Sequence, residues 1–304
     1  MFNEIIVPVD GSPFGELAVP RALGIACKSG GEVRMVTVVT PLPVEQKSGE
    51  LDSSEEGRLL LAVEHAERYQ EDLQKRVILS GCDVPISCHV ETGLVVEKLD
   101  EHARTSNADL LVMTTHGRGP LRRAWLGSVA DGLLRRTPCP ILAIRPEEGE
   151  KLHLEERQFR HILVTLDGSP ESRSILPFAR SLALTSEARV TLLRVIPPHF
   201  PLSSPFFSHY SHGFQGLSQE ETTFREALEM DAGPLRSEGL VVGVEVITGA
   251  HPAEGILDFA EAEDVDVVTM ATHGRGGVAR LVLGSVADKV IRGGTVPVLL
   301  HRAQ

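Results

Sequence analysis

The chain has 304 residues, 42% of them hydrophobic, with 30 basic against 42 acidic side chains. That length accommodates about two domains of roughly 150 residues, each able to bury its own core, and 24% charged residues with ordinary apolar content exclude a disordered or fibrous chain. The formal net charge of −12 argues against nucleic acid or an anionic membrane as partner, since phosphate binding needs an excess of Lys and Arg.

The opening residues Met1-Phe2-Asn3-Glu4 lack the basic start of a secretion signal, and no apolar run approaches the ~18–20 residues of a membrane span. Short apolar, β-rich runs then fall at residues 4–9, 32–39, 86–91, 110–114 and 141–144, unbroken rather than alternating, as in parallel strands covered on both faces. Helical patterns fill the gaps at 13–28, 54–79, 95–105 and 129–135. Ser12 before Pro13 is an N-cap followed by proline at the first helical position, and Pro20 then predicts a kink or early break in that helix. Cys27, Cys82, Cys88 and Cys139 are sparse and form no C-x-x-C arrangement, so they read as mostly buried thiols of a reducing compartment, and a cytoplasmic location is expected.

The same plan is then written again. Asp10-Gly11-Ser12-Pro13 returns as Asp167-Gly168-Ser169-Pro170, an offset of 167 − 10 = 157 that also relates Pro20 to Pro177, Val38 to Val195, Met113 to Met270 and His116 to His273. Between residues 114–145 and 271–302, 16 of 32 positions are identical without a gap. An internal duplication is the only economical source of such a constant offset. Apolar periodicity lapses and charge dominates at 147–158, which sets domain one at 1–146, a linker at 147–158 and domain two at 159–304. The βαβαβαβαβ order in each copy implies a doubly wound parallel sheet with right-handed crossovers.

In such sheets ligands bind beyond the carboxyl ends of the strands, at the switch in strand order. Two segments of each copy fall there. One is Asp10-Gly11-Ser12, whose carboxylate is placed for ribose hydroxyls; the other runs from Thr115-His116-Gly117 through nine residues to Gly127-Ser128, where a helix opens. Glycines let backbone amides approach an anion, Ser128 and Val129 present amides at a helix N-terminus, and Arg118, Arg122 and Arg123 lie between to meet phosphates. Asp-Gly-Ser is equally a common turn with an N-cap, and a histidine at a strand end is more often a hydrogen-bonding support than a catalyst. No Walker A loop occurs.

Residues Ile5-Ile6-Val7-Pro8-Val9-Asp10-Gly11-Ser12, Thr115-His116-Gly117-Arg118-Gly119, Leu126-Gly127-Ser128-Val129-Ala130-Asp131 and their repeats together resemble the universal stress protein family in its tandem, two-domain form. The resemblance implies an α/β fold of two repeated doubly wound domains, each a five-stranded parallel sheet in the order 3-2-1-4-5 of the adenine-nucleotide alpha-hydrolase type. It also implies adenine nucleotide, ATP with or without Mg, as cofactor, and the family pattern G-x-x-G-x9-G-[ST] for its phosphates. In the first copy the nucleotide-binding positions are then Pro8, Val9, Asp10, Gly11, Ser12, Val38, Met113, Thr115, His116, Gly117, Arg118, Gly127, Ser128 and Val129. In the second they are Leu166, Asp167, Gly168, Ser169, Val195, Met270, Ala271, Thr272, His273, Gly274, Arg275, Gly284, Ser285 and Val286.

Both copies depart from the pattern at its first glycine, which is Thr114 in one and Ala271 in the other. A methyl intrudes on the ribose less than a β-branched side chain, which ranks the second site above the first. Catalytic residues are not assigned: Asp131 and Asp288 are explained by the dipole of the helix they open. The function expected is an ATP-binding stress-response protein, with a nucleotide-free scaffold or a slow ATP hydrolase as the alternatives. The segments 41–54 and 197–217 are expected to overhang the pockets, and His199, His209 and His212 in the latter fit no metal template. The family's habit of pairing through last strands suggests that 140–144 and 297–301 meet within one chain, with homodimerisation left open.

Overall fold

The computed structural model describes residues 1–41, 53–115, 127–146, 152, 159–196, 211–249, 251–272 and 283–303, the side chains of 53–55 and 211–219 excepted. The chain divides into two compact units, Met1–Gln158 and Phe159–Gln304.

The first unit runs β1 (Glu4–Pro8), α1 (Pro13–Glu16), α2 (Val19–Ser29), β2 (Glu32–Val39), α3 (Ser53–Leu79), β3 (Ile86–Thr92), α4 (Val95–Thr105), β4 (Leu110–Thr114), α5 (Ser128–Arg136) and β5 (Ile141–Ile144). All strand pairs are parallel, in the order β3-β2-β1-β4-β5. Moving outward from β1 to β3 and then back across to β4 with right-handed crossovers puts α1–α3 on one face and α4–α5 on the other; accordingly α2 packs on β1 and β2, α3 on β2 and β3, and α4 against α5. The middle strands are apolar because both faces are covered: Ile5, Ile6, Val7, Leu110, Leu111 and Val112 are fully buried.

The second unit repeats this with β6 (His161–Thr165), α6 (Pro170–Arg173), α7 (Leu176–Ser186), β7 (Arg189–Ile196), α8 (Ser211–Ser237), β8 (Val242–Thr248), α9 (Pro252–Ala262), β9 (Val267–Ala271), α10 (Ser285–Gly293) and β10 (Val298–His301). Its order, β8-β7-β6-β9-β10, is again 3-2-1-4-5. The outermost strand β8 alternates buried and exposed residues instead of being continuously covered, as an edge strand with one wet face does.

The predicted first helix is two helices. Pro20 has no N–H to donate back to the carbonyl one turn earlier, so α1 ends at Glu16 and the chain restarts as α2 with Pro20 in its first turn. Pro177 divides α6 from α7 in the same way. Among the described residues no helix is long and apolar enough to cross a membrane.

At the amino ends of the strands one carboxylate closes each sheet. Asp109 Oδ2 accepts from the amides of Asn3 (2.8 Å) and Glu4 (3.2 Å), and Asp266 Oδ2 accepts from Arg160 (2.7 Å) and His161 (2.9 Å). Replacing Asp109 by Ala strands two amides, and we expect a loss of about 1–3 kcal/mol confined to the first unit, read as faster amide exchange in β1 with β6 unchanged.

The units differ at the next position. Glu4 pairs with Arg34 in the first, whereas the second has His161 and Thr191 at the matching places. His161 Nδ1 lies 3.0 Å from the Glu263 carbonyl and Nε2 lies 2.9 Å from Thr191 Oγ1. A carbonyl can only accept, so Nδ1 carries the proton and the Thr191 hydroxyl donates to Nε2. Burial holds this imidazole below the usual histidine range, against the pull of the Glu263 carbonyl. The unfolded chain therefore takes up the proton first, and the contribution of His161 to stability is lost as pH falls below about 6.5. His161→Gln, which bonds but does not titrate, is expected to flatten that acid slope for the second unit in urea denaturation at pH 5–7.5; an unchanged slope rejects the assignment.

Candidate functional site

The site is built from two chain reversals at the carboxyl edge of each sheet. β1 and β4 are hydrogen-bonded neighbours running the same way, so the turn after β1 and the turn after β4 emerge side by side. Val9 still bonds to the sheet (N to Val36 O, 2.9 Å), and Asp10 leaves it. Asp10 Oδ1 accepts from the Ser12 amide (2.9 Å) and hydroxyl (2.5 Å), while Ser12 Oγ accepts from Gly15 N (3.1 Å) and caps α1. Gly11 adopts φ +74°, a conformation that favours glycine. Asp167, Gly168 (φ +83°) and Ser169 repeat the arrangement, with Ser169 Oγ accepting from Ser172 N at 3.1 Å. One oxygen of Asp10 is thus committed to shaping the turn, and among the described residues Oδ2 has no partner.

The second reversal sets the start of the following helix against the strand end. Gly127 N donates to Thr115 O at 2.8 Å, and Gly284 N to Thr272 O at 2.8 Å. Each glycine is the N-cap of the helix that follows, and neither supplies a side-chain cap. The first ladder bonds run from Asp131 N to Gly127 O and from Asp288 N to Gly284 O, both 2.9 Å. The amides of 128–130 and of 285–287 therefore have no intrahelical acceptor, and the helix dipole adds positive potential there. Ser128 and Ser285 are exposed, and Val129 and Val286 half-buried.

The structure gives Gly127 a reason that spacing did not. A Cβ on it would stand 2.8 Å from the Thr115 carbonyl oxygen. Glycine is required first to let α5 start this close to the end of β4. Gly127→Ala is expected to cost about 1–3 kcal/mol through displacement of that bond, seen as faster exchange of the Ser128–Asp131 amides with α10 unaffected.

Pro8 is half-buried at the end of β1, and Val9 and Leu166 are buried beside the turns. Val38 and Val195 are half-buried on β2 and β7. Val195 Cγ1 would lie only 3.1 Å from a Cβ on Gly255 of α9, so its side chain packs against that helix and leaves its backbone for the pocket. Met113, Thr115, Met270, Ala271 and Thr272 are all buried at the ends of β4 and β9, as is Thr114. His116, Gly117, Arg118, Arg122 and Arg123, with His273, Gly274 and Arg275, lie outside the described residues, as do most of the proposed lids and the side chains of His199, His209 and His212.

Asp131 and Asp288 each pair within their own helix. Asp131 is bidentate to Arg135 (3.0 and 3.0 Å), and Asp288 pairs with Arg292 at 2.8 Å, both one helical turn on. Three groups escaped the sequence reading. Gly15 stands where a Cβ would fall 2.8 Å from Asp10 Oδ1. Glu16 on α1 holds Arg76 of α3 in a two-pronged pair of 2.8 and 3.0 Å. His301, in register with Ala271, packs against Phe178 with the ring centres 4.4 Å apart and the planes tilted by 44°, and burial lowers its pKa. A repeat comparison at offset 157 signals the last two, because Glu16 becomes Arg173 and Ile144 becomes His301.

The profile of the universal stress protein family matches residues 1–145 and again 158–302. The chain belongs to the universal stress protein family, in tandem form. A universal stress protein of Mycobacterium tuberculosis is 28% identical over 98% of this chain and 94% of its own length, and one of Synechocystis is 22% identical over 99% and 100%. Among solved structures, a universal stress protein from Archaeoglobus fulgidus covers 99% of both chains at 18% identity with a TM-score of 0.67, which establishes the shared α/β fold.

Proposed function

We propose that this tandem universal stress protein binds adenine nucleotide, ATP with Mg as its natural form, and that occupancy is its regulatory signal. The observation that carries the reading is the glycine-capped start of α5 and α10: three amides on each helix lack a side-chain cap, beside an aspartate at the end of the central strand. Such a helix end stabilises phosphate by amide donation and dipole together, and the neighbouring carboxylate suits ribose hydroxyls. In a chain of net charge −12 the anion must be held by these local groups against the overall field.

The nucleotide would lie with its phosphates on Gly127-Ser128-Val129 or Gly284-Ser285-Val286 and its sugar near Asp10 or Asp167. The second site is the stronger. Ala271 brings one methyl group where Thr114 brings a branched hydroxyl-bearing side chain, both buried at the strand end. The two helix-opening aspartates are tied to arginines, which favours the reading of a binding protein over that of a hydrolase.

Native mass spectrometry of freshly purified protein, with calorimetry on adding Mg-ATP, tests this. A carried or added adenine nucleotide with a stoichiometry of at least one per chain is expected; a bare chain that gives no heat rejects it and leaves the scaffold reading. Thr114→Ala is expected to raise the affinity of the first site by about tenfold, the worth of relieving one steric clash of ~1.4 kcal/mol. No gain on that substitution would show that the branched side chain is not what separates the two sites.

A further inference from the structure

The two repeats brace the turn after their first strand with charge pairs of opposite sense. In the first unit the acid is on the short helix and the base on the long one: Glu16 of α1 holds Arg76 of α3, and Arg76 is held again by Asp72 at 3.1 Å. In the second unit the base is on the short helix: Arg173 Nε lies 2.9 Å from both carboxylate oxygens of Asp231 on α8. The reversal has a consequence at the pocket. A carboxylate cannot donate, but Arg173 has donors left over, and its Nη1 donates to the Gly168 carbonyl at 3.2 Å. Ser172, where the first unit has Gly15, adds a bond from its hydroxyl to Ser169 O at 2.9 Å. Among the described residues Gly11 O accepts no side-chain bond of this kind.

We propose that Arg173 is a positioning residue of the second site: it ties the turn that presents Asp167 to the Asp231 carboxylate of α8, so that filling the second pocket is felt by α8 through a side-chain bond to the turn carbonyl. In the first unit α3 faces the turn differently, with Tyr69 beside Glu16 and Asp10. α8 is well placed to transmit the change. Leu228, Ala232 and Leu235 seat it in the core, Arg225 and Arg236 bond to the carbonyls of Val244 and Val242 on β8, and Met230 is 72% exposed on its outer side. The ligand in this inference rests on the nucleotide reading above; the tie itself does not.

The test is amide exchange in the intact chain, with and without Mg-ATP, comparing wild type with R173E/D231R. The double substitution keeps the ion pair between α6 and α8 with its sense reversed, but removes the donor to Gly168 O, so a purely structural brace would notice nothing. Without nucleotide, the Ser169 and Ser172 amides are expected to exchange about fivefold faster in the variant, the effect of one net hydrogen bond, with Ser12 and Gly15 unchanged. With nucleotide, wild type is expected to gain protection both in that turn and in residues 220–237, and the variant in the turn alone. Arg173→Lys, which offers one nitrogen where Arg173 reaches Asp231 from Nε and Gly168 O from Nη1, gives the same direction if the double variant folds poorly. Equal turn exchange in wild type and both variants overturns the tie, and equal α8 protection by Mg-ATP overturns the coupling. If Mg-ATP protects nothing in wild type, the nucleotide reading and the coupling fail together, and the ligand-free turn still decides the tie.

Discussion

Everything proposed for this molecule depends on one short hydrogen bond made twice, from the amide of Gly127 to the carbonyl of Thr115 and from that of Gly284 to that of Thr272, at 2.8 Å in each unit. It fixes the beginning of a helix against the end of a central strand. A residue with a Cβ could not sit at Gly127 without pushing that carbonyl away, and a residue with a capping side chain would consume the amides that the glycine leaves unpaired. The same choice therefore solves a packing problem and leaves three amides without an intrahelical acceptor. Strand order does the rest: β1 and β4 are adjacent, so the Asp10 turn and the end of β4, against which α5 starts, lie at the switch in strand order.

The duplication makes the two units controls for each other. The features that recur with closely similar geometry are the structural minimum of each unit: the aspartate–serine turn, the glycine in the left-handed region and the uncapped helix start at one end of the sheet, and the basal carboxylates Asp109 and Asp266 at the other. Around this minimum the units have drifted in their charges. Glu4 and Arg34 become His161 and Thr191 at one end of the sheet, and Glu16 becomes Arg173 at the other. The basal exchange trades an ion pair for a neutral network, which changes the response to acid and not the fold. The exchange at the carboxyl end lies in the turn after the first strand, where Arg173 bonds both Asp231 and the Gly168 carbonyl.

Much of the fold was legible from residue patterns. The runs at 32–39, 110–114 and 141–144 are β2, β4 and β5 to the residue, since continuous apolar strands bounded by polar turns leave little room for error. Ser12 and Ser169 read correctly as caps because Ser-Pro at a helix start has one comfortable conformation. The uncertain point, how Pro20 would interrupt its helix, was a matter of packing after the proline, and the chain simply restarted. What the pattern could not give was long-range pairing. Asp109 is an unremarkable acid in a loop until its carboxylate is found on two amides more than a hundred residues away, and Glu16 and Arg76 are 60 residues apart. For Gly127, spacing reports that a glycine opens the helix and not what its hydrogen is facing.

The central claim is that nucleotide is held by backbone amides at the two helix starts, the second more tightly than the first. Following the amide resonances of Ser128, Val129, Ser285 and Val286 while Mg-ATP is added measures this directly. Saturable shifts at all four, with 285 and 286 responding at lower ATP than 128 and 129, are the predicted result. Binding that saturates while these four amides stay unmoved would contradict the account.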